Sequence, residues 1–375
     1  MKASFKLFRI AGIDIGIHYT WIFIVVFFSW TLAQAYFPAY YHWSTAAYWI
    51  TGIIASLLIF VCVLLHELAH SLVANARGIP VHSITLFILG GVSNMEEEPQ
   101  KPASEFVMAI VGPGTSLLLA AIFWGLTRIP GDKTVPVRAL IAYMAYINLY
   151  LGAFNLLPGF PLDGGRVLRS ILWGSTGSLS KATDIAGRVG QFFGWAFIGV
   201  GIYFMIWVSF FSGLWIAFIG WFLNSAADAS RKEITLRERL SHFKVKDLIN
   251  PNIETIKPET TVSDMVMNVF RRQPGRAVPV CRDNKLSGIV TITDVKKVPQ
   301  DKWSDTPVSQ IMTSSPLYTV VPEDNLNTAM QFIAQHDVNQ VLIKENDKCA
   351  GILSRADIIR FIQMSHELGI PRAAK

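Results

Sequence analysis

The chain has 375 residues, 51% of them hydrophobic and only 16% charged, with a formal net charge of +6. That balance excludes an intrinsically disordered chain and points to a membrane protein with a smaller soluble part. The basic residues form no single block interleaved with aromatics, which argues against nucleic acid as a partner and leaves the charge to be read as membrane topology.

The N-terminal "MKASFKLFRIAGIDIGIHY" sets basic residues before an apolar run, with no small-residue cleavage site after a short apolar core. It reads as the approach to a retained first helix, not as a signal peptide. A bilayer core of about 30 Å takes roughly 20 apolar residues per helix. Six stretches meet or approach that length: 19–37, 48–76, 104–128, 138–157, 186–207 and 210–227. The expected fold class is therefore mainly α, a polytopic membrane bundle of six helices in residues 1–226. Lys2, Lys6 and Arg9 precede the first span, and the aromatic-rich loop after it has no basic residue. Arg77 and Lys101, then Arg166, Arg169, Lys181 and Arg188, then Arg231, Lys232, Arg237 and Arg239 fall on the same side as the N-terminus. The positive-inside rule thus predicts cytoplasmic N- and C-termini in a plasma membrane. Arg128, Lys133 and Arg138 break the rule, since their loop falls outside.

The second span ends in "HELAH". On a helix His66 and His70 share a face, where both imidazoles reach one Zn²⁺, and Glu67 then lies beside the water that such a metal activates, as general base. A chance HExxH is the plain alternative. Ionisable side chains at a membrane helix centre cost about 2.5–3.5 kcal/mol, so an apolar helix does not carry this set for packing alone.

The next segment, "IPVHSITLFILGGVSNMEEEPQKP", is β-branched and aromatic with a Gly pair, which predicts a short hairpin lining the site or skirting the interface. Glu96 to Glu98 read as a solvated loop face. The fourth span runs into "NLYLGAFNLLPGFPLDGGRVLRS", where Asp163 stands as the one acid in a long apolar neighbourhood. It is the candidate third metal ligand, the alternative being a helix cap at the membrane surface. Pro158 and Pro161 break the helix, and Gly164 with Gly165 are expected to allow a turn that aims the carboxylate at the metal.

Taken together, "HELAH" on one span and "NLLPGFPLDGG" on a later one resemble the site-2 protease family of intramembrane zinc metalloproteases. "GIHYTW", "LFILGGVSNM" and "AIVGPGTSLLLA" resemble the same family's membrane core. The resemblance covers about residues 10 to 226. It implies that His66, His70 and Asp163 bind zinc, that Glu67 activates water, and that Asn155 stabilises the oxyanion. For Asn155 a helix–helix hydrogen bond stays open as the alternative. Gly90, Gly91 and Asn94 are candidate substrate-binding residues that would hold an unwound substrate by strand addition, against the alternative of an ordinary tight turn. His18 reads as an interfacial histidine beside Tyr19 and Trp21, with a site-edge role implied by the family. His42, His82, His242, His336 and His366 have no partners at metal spacing.

After a charged helical connector at 227–243, the chain repeats itself. "VKDLI" at 245 returns as "VSQIM" at 308, "RAVPV" at 276 as "NQVLI" at 339, and "GIVTITD" at 288 as "GILSRAD" at 351. The fixed offset predicts a soluble α/β tandem, with copies at 244–300 and 306–366. The copies resemble cystathionine-β-synthase-type (CBS) domains. That resemblance implies ATP, ADP or AMP bound by Thr291 and Asp294 in one copy and by Ser354 and Asp357 in the other, and association into a homodimer. The alternative is that the two aspartates only cap helices. Cys62, Cys281 and Cys349 match no paired spacing, as in a reduced protein.

The function expected is a zinc metalloendopeptidase cutting a transmembrane protein substrate in the lipid bilayer, modulated by adenine nucleotide. A CBS-gated transporter would show matching interrupted halves, and none is visible. A catalytically dead scaffold would show a broken motif, and His66, Glu67, His70, Asn155 and Asp163 are all present.

Overall fold

The structure, a computed structural model, describes all residues except 1–3, 89, 96–98, 133, 242, 250–253, 272–276, 283–284, 337, 346–347 and 368–375. The expectations for Glu96 to Glu98, Lys133 and His242 lie outside the described residues, as do those resting on the side chains of Arg237, Arg239, Cys349 and His366. The chain divides into two compact units, Met1–Glu233 and Ile234–Lys375.

The first unit begins with strands β1 (Phe5–Ile10) and β2 (Ile13–Ile17), joined at Ala11 and Gly12. Both turn residues have positive φ, 49° and 83°, as a tight hairpin turn requires. Helices α1 (Thr20–Thr31) and α2 (Phe37–Tyr40) are bridged by a π-helical turn at Leu32–Tyr36. The long α3 (Thr45–Ala76) follows, capped by Ser44, whose Oγ accepts from the Ala47 N–H at 3.3 Å. Strands β3 (Val81–Phe87) and β4 (Gly90–Met95) form the expected hairpin. The remaining helices are α4 (Pro102–Leu126), α5 (Pro136–Asn155), α6 (Asp163–Thr176), α7 (Leu179–Trp207) and α8 (Phe210–Ser241), which ends beyond the unit boundary.

Six helical segments are long and apolar enough to cross a membrane: Thr20–Tyr40, Thr45–Ala76, Pro102–Thr127, Pro136–Asn155, Leu179–Trp207 and Phe210–Lys232. The protein is a multi-pass membrane protein. Its polarity is that of a bundle solvated by lipid. On α3 the exposed face carries Ile53, Ile54, Leu57, Val61, Leu65 and Leu72. The buried face holds mostly small and polar residues, Thr51, Gly52, Ala55, Ser56, Cys62, His66, His70, Ser71 and Ala74, with Ile59 and Phe60 the large apolar members. Lipid tails give apolar side chains no reason to turn inward, so helices meet through small residues that let backbones approach. On α7 and α8, for example, a Cβ at Gly220 would sit 2.6 Å from the Gly194 carbonyl oxygen, and one at Gly194 would sit 2.9 Å from that of Gly220.

The hairpin is part of a four-stranded sheet in the order β1-β2-β3-β4. β2 and β3 run parallel with Ile15 opposite Ile84, while β3 and β4 run antiparallel with Ile84 opposite Ser93. Ile13, Ile15, Val81 and Ile84 pack with Ala74, Leu64 and Leu68 of α3, which lays the sheet against the end of α3 that carries HELAH. Two N-terminal strands were not expected. Their apolar residues look like an approach to a helix because β1 leaves Phe5, Leu7, Phe8 and Ile10 exposed, without the alternation that marks a half-buried strand.

The second unit contains a five-stranded sheet in the order β5-β6-β9-β8-β7. The first repeat supplies α9 (Val262–Met265), β5 (Ala277–Arg282), β6 (Lys285–Thr291) and α10 (Ile292–Val295). The second supplies β7 (Thr319–Val320), α11 (Leu326–Gln335), β8 (Gln340–Glu345), β9 (Lys348–Ser354) and α12 (Arg355–Glu367). The repeats are interleaved. Val245, which opens the first, is buried in the core of the second with Val320, Leu326 and Ile343. Val308, which opens the second, is buried in the core of the first with Val262, Val278 and Val290. Backbone bonds repeat the exchange, Val245 N–H to Asp324 O and Val308 N–H to Thr260 O, both 2.8 Å. Each core therefore takes the opening residue of the other linear copy.

Candidate active site

His66 and His70 are four residues apart and turn the same way from α3, and both are about 95% buried. Asp163 is the first residue of α6, reached through the loop 156–162. Asp163 Oδ2 lies 3.0 Å from His66 Nε2 and 3.1 Å from His70 Nε2, and the two Nε2 atoms are 3.2 Å apart. Among the described residues this is the one group of three such side chains able to hold a metal ion.

The donor set can be tested against zinc. A tetrahedral zinc with bonds of about 2.0–2.1 Å has edges between ligand atoms of roughly 3.3 Å, close to the three separations found. The second nitrogen of each ring is also held. His70 Nδ1–H donates to the Met108 carbonyl oxygen at 2.5 Å, and a carbonyl only accepts, so Nε2 turns its lone pair inward. Ser116 Oγ lies 2.9 Å from His66 Nδ1 and can accept from it in the same way. Two imidazole lone pairs and a carboxylate oxygen thus converge, which a divalent cation satisfies and another hydrogen-bond acceptor would not. The residues present fit zinc.

Both partners of the rings come from α4, and the sequence did not single them out. Between them sits Gly112: a Cβ there would overlap His70 Nε2 and stand 2.8 Å from His66 Nε2. In "AIVGPGTS" the one signal of this role is the Gly112, Ser116 spacing of four, which puts both on one helix face. The same helix carries Glu105, fully buried and ion-paired with Arg169 of α6, whose guanidinium also lies 5.1 Å from the Phe160 ring. That pair ties the helix behind the histidines to the helix that begins with Asp163.

The turn expected at Gly164 and Gly165 is instead the first turn of α6. Neither glycine has a positive φ. Their role is close packing, since a Cβ at Gly164 would strike the Leu156 and Leu157 carbonyls and one at Gly165 the backbone of Gly159 and Phe160.

Glu67, next to His66, meets the edge of the sheet. Ser93 Oγ–H donates to Glu67 Oε2 at 3.1 Å, and Ser71 Oγ lies 3.1 Å from Ser93 Oγ while donating to the Glu67 carbonyl oxygen at 2.9 Å. A Cβ at Gly91 would fall 2.5 Å from Glu67 Cγ, so β4 approaches the carboxylate because residue 91 is glycine. Gly90, Gly91 and Asn94 lie on β4, whose one partner among the described strands is β3. Asn155 ends α5, and its amide donates to the Leu151 carbonyl oxygen at 2.9 Å, not to the metal cluster. His18 Nδ1 lies 2.9 Å from Thr20 Oγ1, outside the cluster.

The protein-family model for peptidase family M50 matches residues 54–134 and 131–197, and the CBS domain model matches 245–301 and 308–364. A protein of Synechocystis named as a zinc metalloprotease is 35% identical over 97% of this chain and 97% of its own length. The chain belongs to peptidase family M50, the site-2 protease family. It is a zinc metalloendopeptidase of that type, with a CBS tandem. Another M50 relative, a zinc metalloprotease of Mycobacterium tuberculosis, is 31% identical over 97% of this chain and 94% of its own. The solved site-2 protease of Methanocaldococcus jannaschii is 28% identical, covering 60% of this chain and 94% of its own with a TM-score of 0.43.

In the CBS tandem of this M50 peptidase the four candidate nucleotide residues are engaged as helix caps. Asp294 Oδ2 accepts from Thr291 N–H at 3.0 Å and Thr291 Oγ1–H at 2.7 Å, and Lys297 Nζ donates to Oδ1 at 2.9 Å. Ser354 and Asp357 repeat the pattern, with Ser354 Oγ–H donating to Asp357 Oδ2 at 2.5 Å. Burial alone would raise the Asp294 pKa, but the Lys297 ammonium and the Thr291 donors outweigh it and hold the carboxyl below its ordinary value.

Proposed function

We infer that this M50 peptidase hydrolyses a peptide bond within or near the transmembrane segment of a membrane-bound regulatory protein. The convergence of His66, His70 and Asp163 beside Glu67, inside a bundle with an apolar outer surface, carries the reading. When bound, zinc supplies Lewis acidity, lowering the pKa of a water to about 7 and polarising the scissile carbonyl. Glu67 takes the proton of the attacking water and returns it to the leaving amine, its carboxylate fixed by Ser93. Asn155 Nδ2 turns from the Leu151 carbonyl to donate to the developing oxyanion.

A helical peptide shields its own bonds, so the substrate must unwind before attack. β4 offers a reason for it to stay extended: one of its edges is unpaired among the described strands, Gly90 has open space beside it, and Gly91 brings that edge up to Glu67. Asn94 then contacts the same extended segment. The peptidase acts in a plasma membrane with both termini in the cytoplasm, and the substrate is cut near the cytosolic side. Residues 227–243 connect the membrane part to the CBS tandem, which binds ATP, ADP or AMP at Thr291, Asp294, Ser354 and Asp357 and associates with a second copy. Nucleotide occupancy tunes cleavage through that connector.

The test compares wild type with Glu67→Gln in detergent, following single-helix substrates and bound zinc together. Zinc in both with cleavage by wild type alone is expected; no zinc in either overturns the site. Cleavage that is flat across ATP and AMP titrations overturns the regulatory part alone.

A further inference from the structure

Between α4 and α5 runs a groove of about 640 Å³ that none of the proposed chemistry uses. Its walls are Leu117, Ala120 and Ala121 of α4 and Ala142, Ala145 and Leu149 of α5. Four alanines facing one another leave the space open. The far end closes where Leu117 packs on Gly152: a Cβ at that glycine would stand 2.9 Å from Leu117 Cγ.

The near end is cationic and aromatic. Arg128 is exposed there, with its guanidinium 4.6 Å from the Trp124 ring. Arg138 donates to the Thr127 carbonyl oxygen at 3.0 Å and to that of Ile129, which caps α4 and holds a second positive charge at the mouth. Tyr41 also lines the groove, and Tyr146 lines its deeper part beside Ala145. Asp132 is the acid in the same connection, and its Oδ1 is occupied by the Thr134 N–H and hydroxyl at 2.9 and 2.7 Å.

Length identifies what fits. From Leu117 to Thr127, at 1.5 Å per residue, is about 15 Å, half of a hydrocarbon core of roughly 30 Å. A groove one leaflet deep, apolar along its walls and cationic at the membrane surface, matches one acyl chain and the phosphate above it. A transmembrane peptide helix spans both leaflets, about twice the length of this groove. Arg128 and Arg138 are also two of the three residues that defy the positive-inside rule, and a bound anion gives that misplaced charge a partner.

We propose that the groove between α4 and α5 is a binding site for an anionic phospholipid, with an acyl chain along the alanines and the phosphate against Arg128. The site is separate from the metal cluster, so the inference stands whether or not the cleavage reading does.

The experiment uses the full-length protein in phosphatidylcholine vesicles carrying a trace of phosphatidylglycerol or phosphatidylcholine with a photoreactive group on the acyl chain. Labelling within residues 117–149 is read by peptide mapping. One arginine near the surface is worth about 1 kcal/mol, so wild type is expected to favour the phosphatidylglycerol probe roughly fivefold. Arg128→Gln is expected to bring that ratio close to one, and Ala142→Leu to reduce labelling by both probes, with bound zinc retained as the check on folding. Equal labelling by the two probes in wild type, or a ratio unmoved by Arg128→Gln, overturns the proposal. So does displacement of the label by a neutral single-helix peptide, which would make the groove a docking site for substrate.

Discussion

Gly112→Ala is a one-methyl perturbation aimed at the space the metal needs. The added Cβ overlaps His70 Nε2 and stands 2.8 Å from His66 Nε2, a separation that Cβ atoms do not adopt. Gly112 is in the interior of α4, so the helix backbone does not yield easily, and both imidazoles must swing away. Doing so breaks the bonds to Met108 O and Ser116 Oγ. Losing an orienting partner costs about 10–100-fold in metal affinity for a ligating histidine, so two displaced rings predict roughly 10²–10⁴-fold weaker zinc binding. Gly114→Ala, two residues along the same helix, is the matched control: a Cβ there meets nothing within 4 Å. Both changes gain about 1 kcal/mol of helix propensity, so neither is expected to unfold the bundle. Chelator competition gives the zinc affinity and thermal unfolding of the metal-free proteins gives stability. If Gly112→Ala keeps wild-type zinc affinity with a native unfolding profile, the packing of α4 against the histidines has been misread.

Glu105→Gln leaves Arg169 buried without its counter-charge and should cost about 3–5 kcal/mol, while the double change Glu105→Leu with Arg169→Met should recover most of it; a denaturation series on the purified protein checks both. Ser93→Ala removes the donor to Glu67, a bond to a charged group worth about 1.5–3 kcal/mol. Cleavage should fall at least tenfold with bound zinc unchanged, and an equal loss of zinc would argue instead for damage to the cluster. The depressed Asp294 pKa means that its stabilising contribution is present above the unfolded carboxyl pKa of about 3.9 and is lost as pH falls through the folded value. Asp294→Asn should therefore flatten the acid limb of the tandem's unfolding, followed in the full chain by hydrogen exchange of the β6 and α10 amides.

The candidate ligands were legible because the membrane makes them so. His66, Glu67, His70 and Asp163 stand out where polar side chains are costly, and both histidine spacing and helix periodicity are local facts of the sequence. What escaped notice has long-range causes. The carbonyl of Met108 is a backbone group and leaves no signature in residue type. Ser116 and Gly112 are ordinary residues for a membrane helix. The strands at Phe5–Ile10 and Ile13–Ile17 pair partly with each other, but β2 takes its sheet position from β3, almost 70 residues later. Helix α6 went unread because prolines and glycines before and within it punctuate like a loop, while its amphipathic continuation, "RVLRSILWGST", was too short to weigh as a span. The CBS repeat was visible from its period, yet the exchange of Val245 and Val308 between cores was not, since periodicity records similarity of segments and not their partners.

One stripe of α4 ties these features together. Glu105, Met108, Gly112 and Ser116 recur at intervals of three and four residues, so they lie along a single buried face. In that order they hold α6 by an ion pair, orient His70, make room for the ligand atoms, and orient His66. Two ligands come from α3 and the third from α6, and α4 packs against both helices. Rigidity of that one helix therefore sets how closely three groups, distant by nearly 100 residues in sequence, converge on a common point. A metal site in lipid needs such a backing. Water is scarce to satisfy an imidazole that has drifted from its ligand position, so the second nitrogen of each ring must be fixed by protein; a helix carbonyl keeps a second lone pair and can serve where the ring comes close enough. Here the missing side chain at Gly112 lets α4 come close enough for the Met108 carbonyl and Ser116 hydroxyl to reach the two rings.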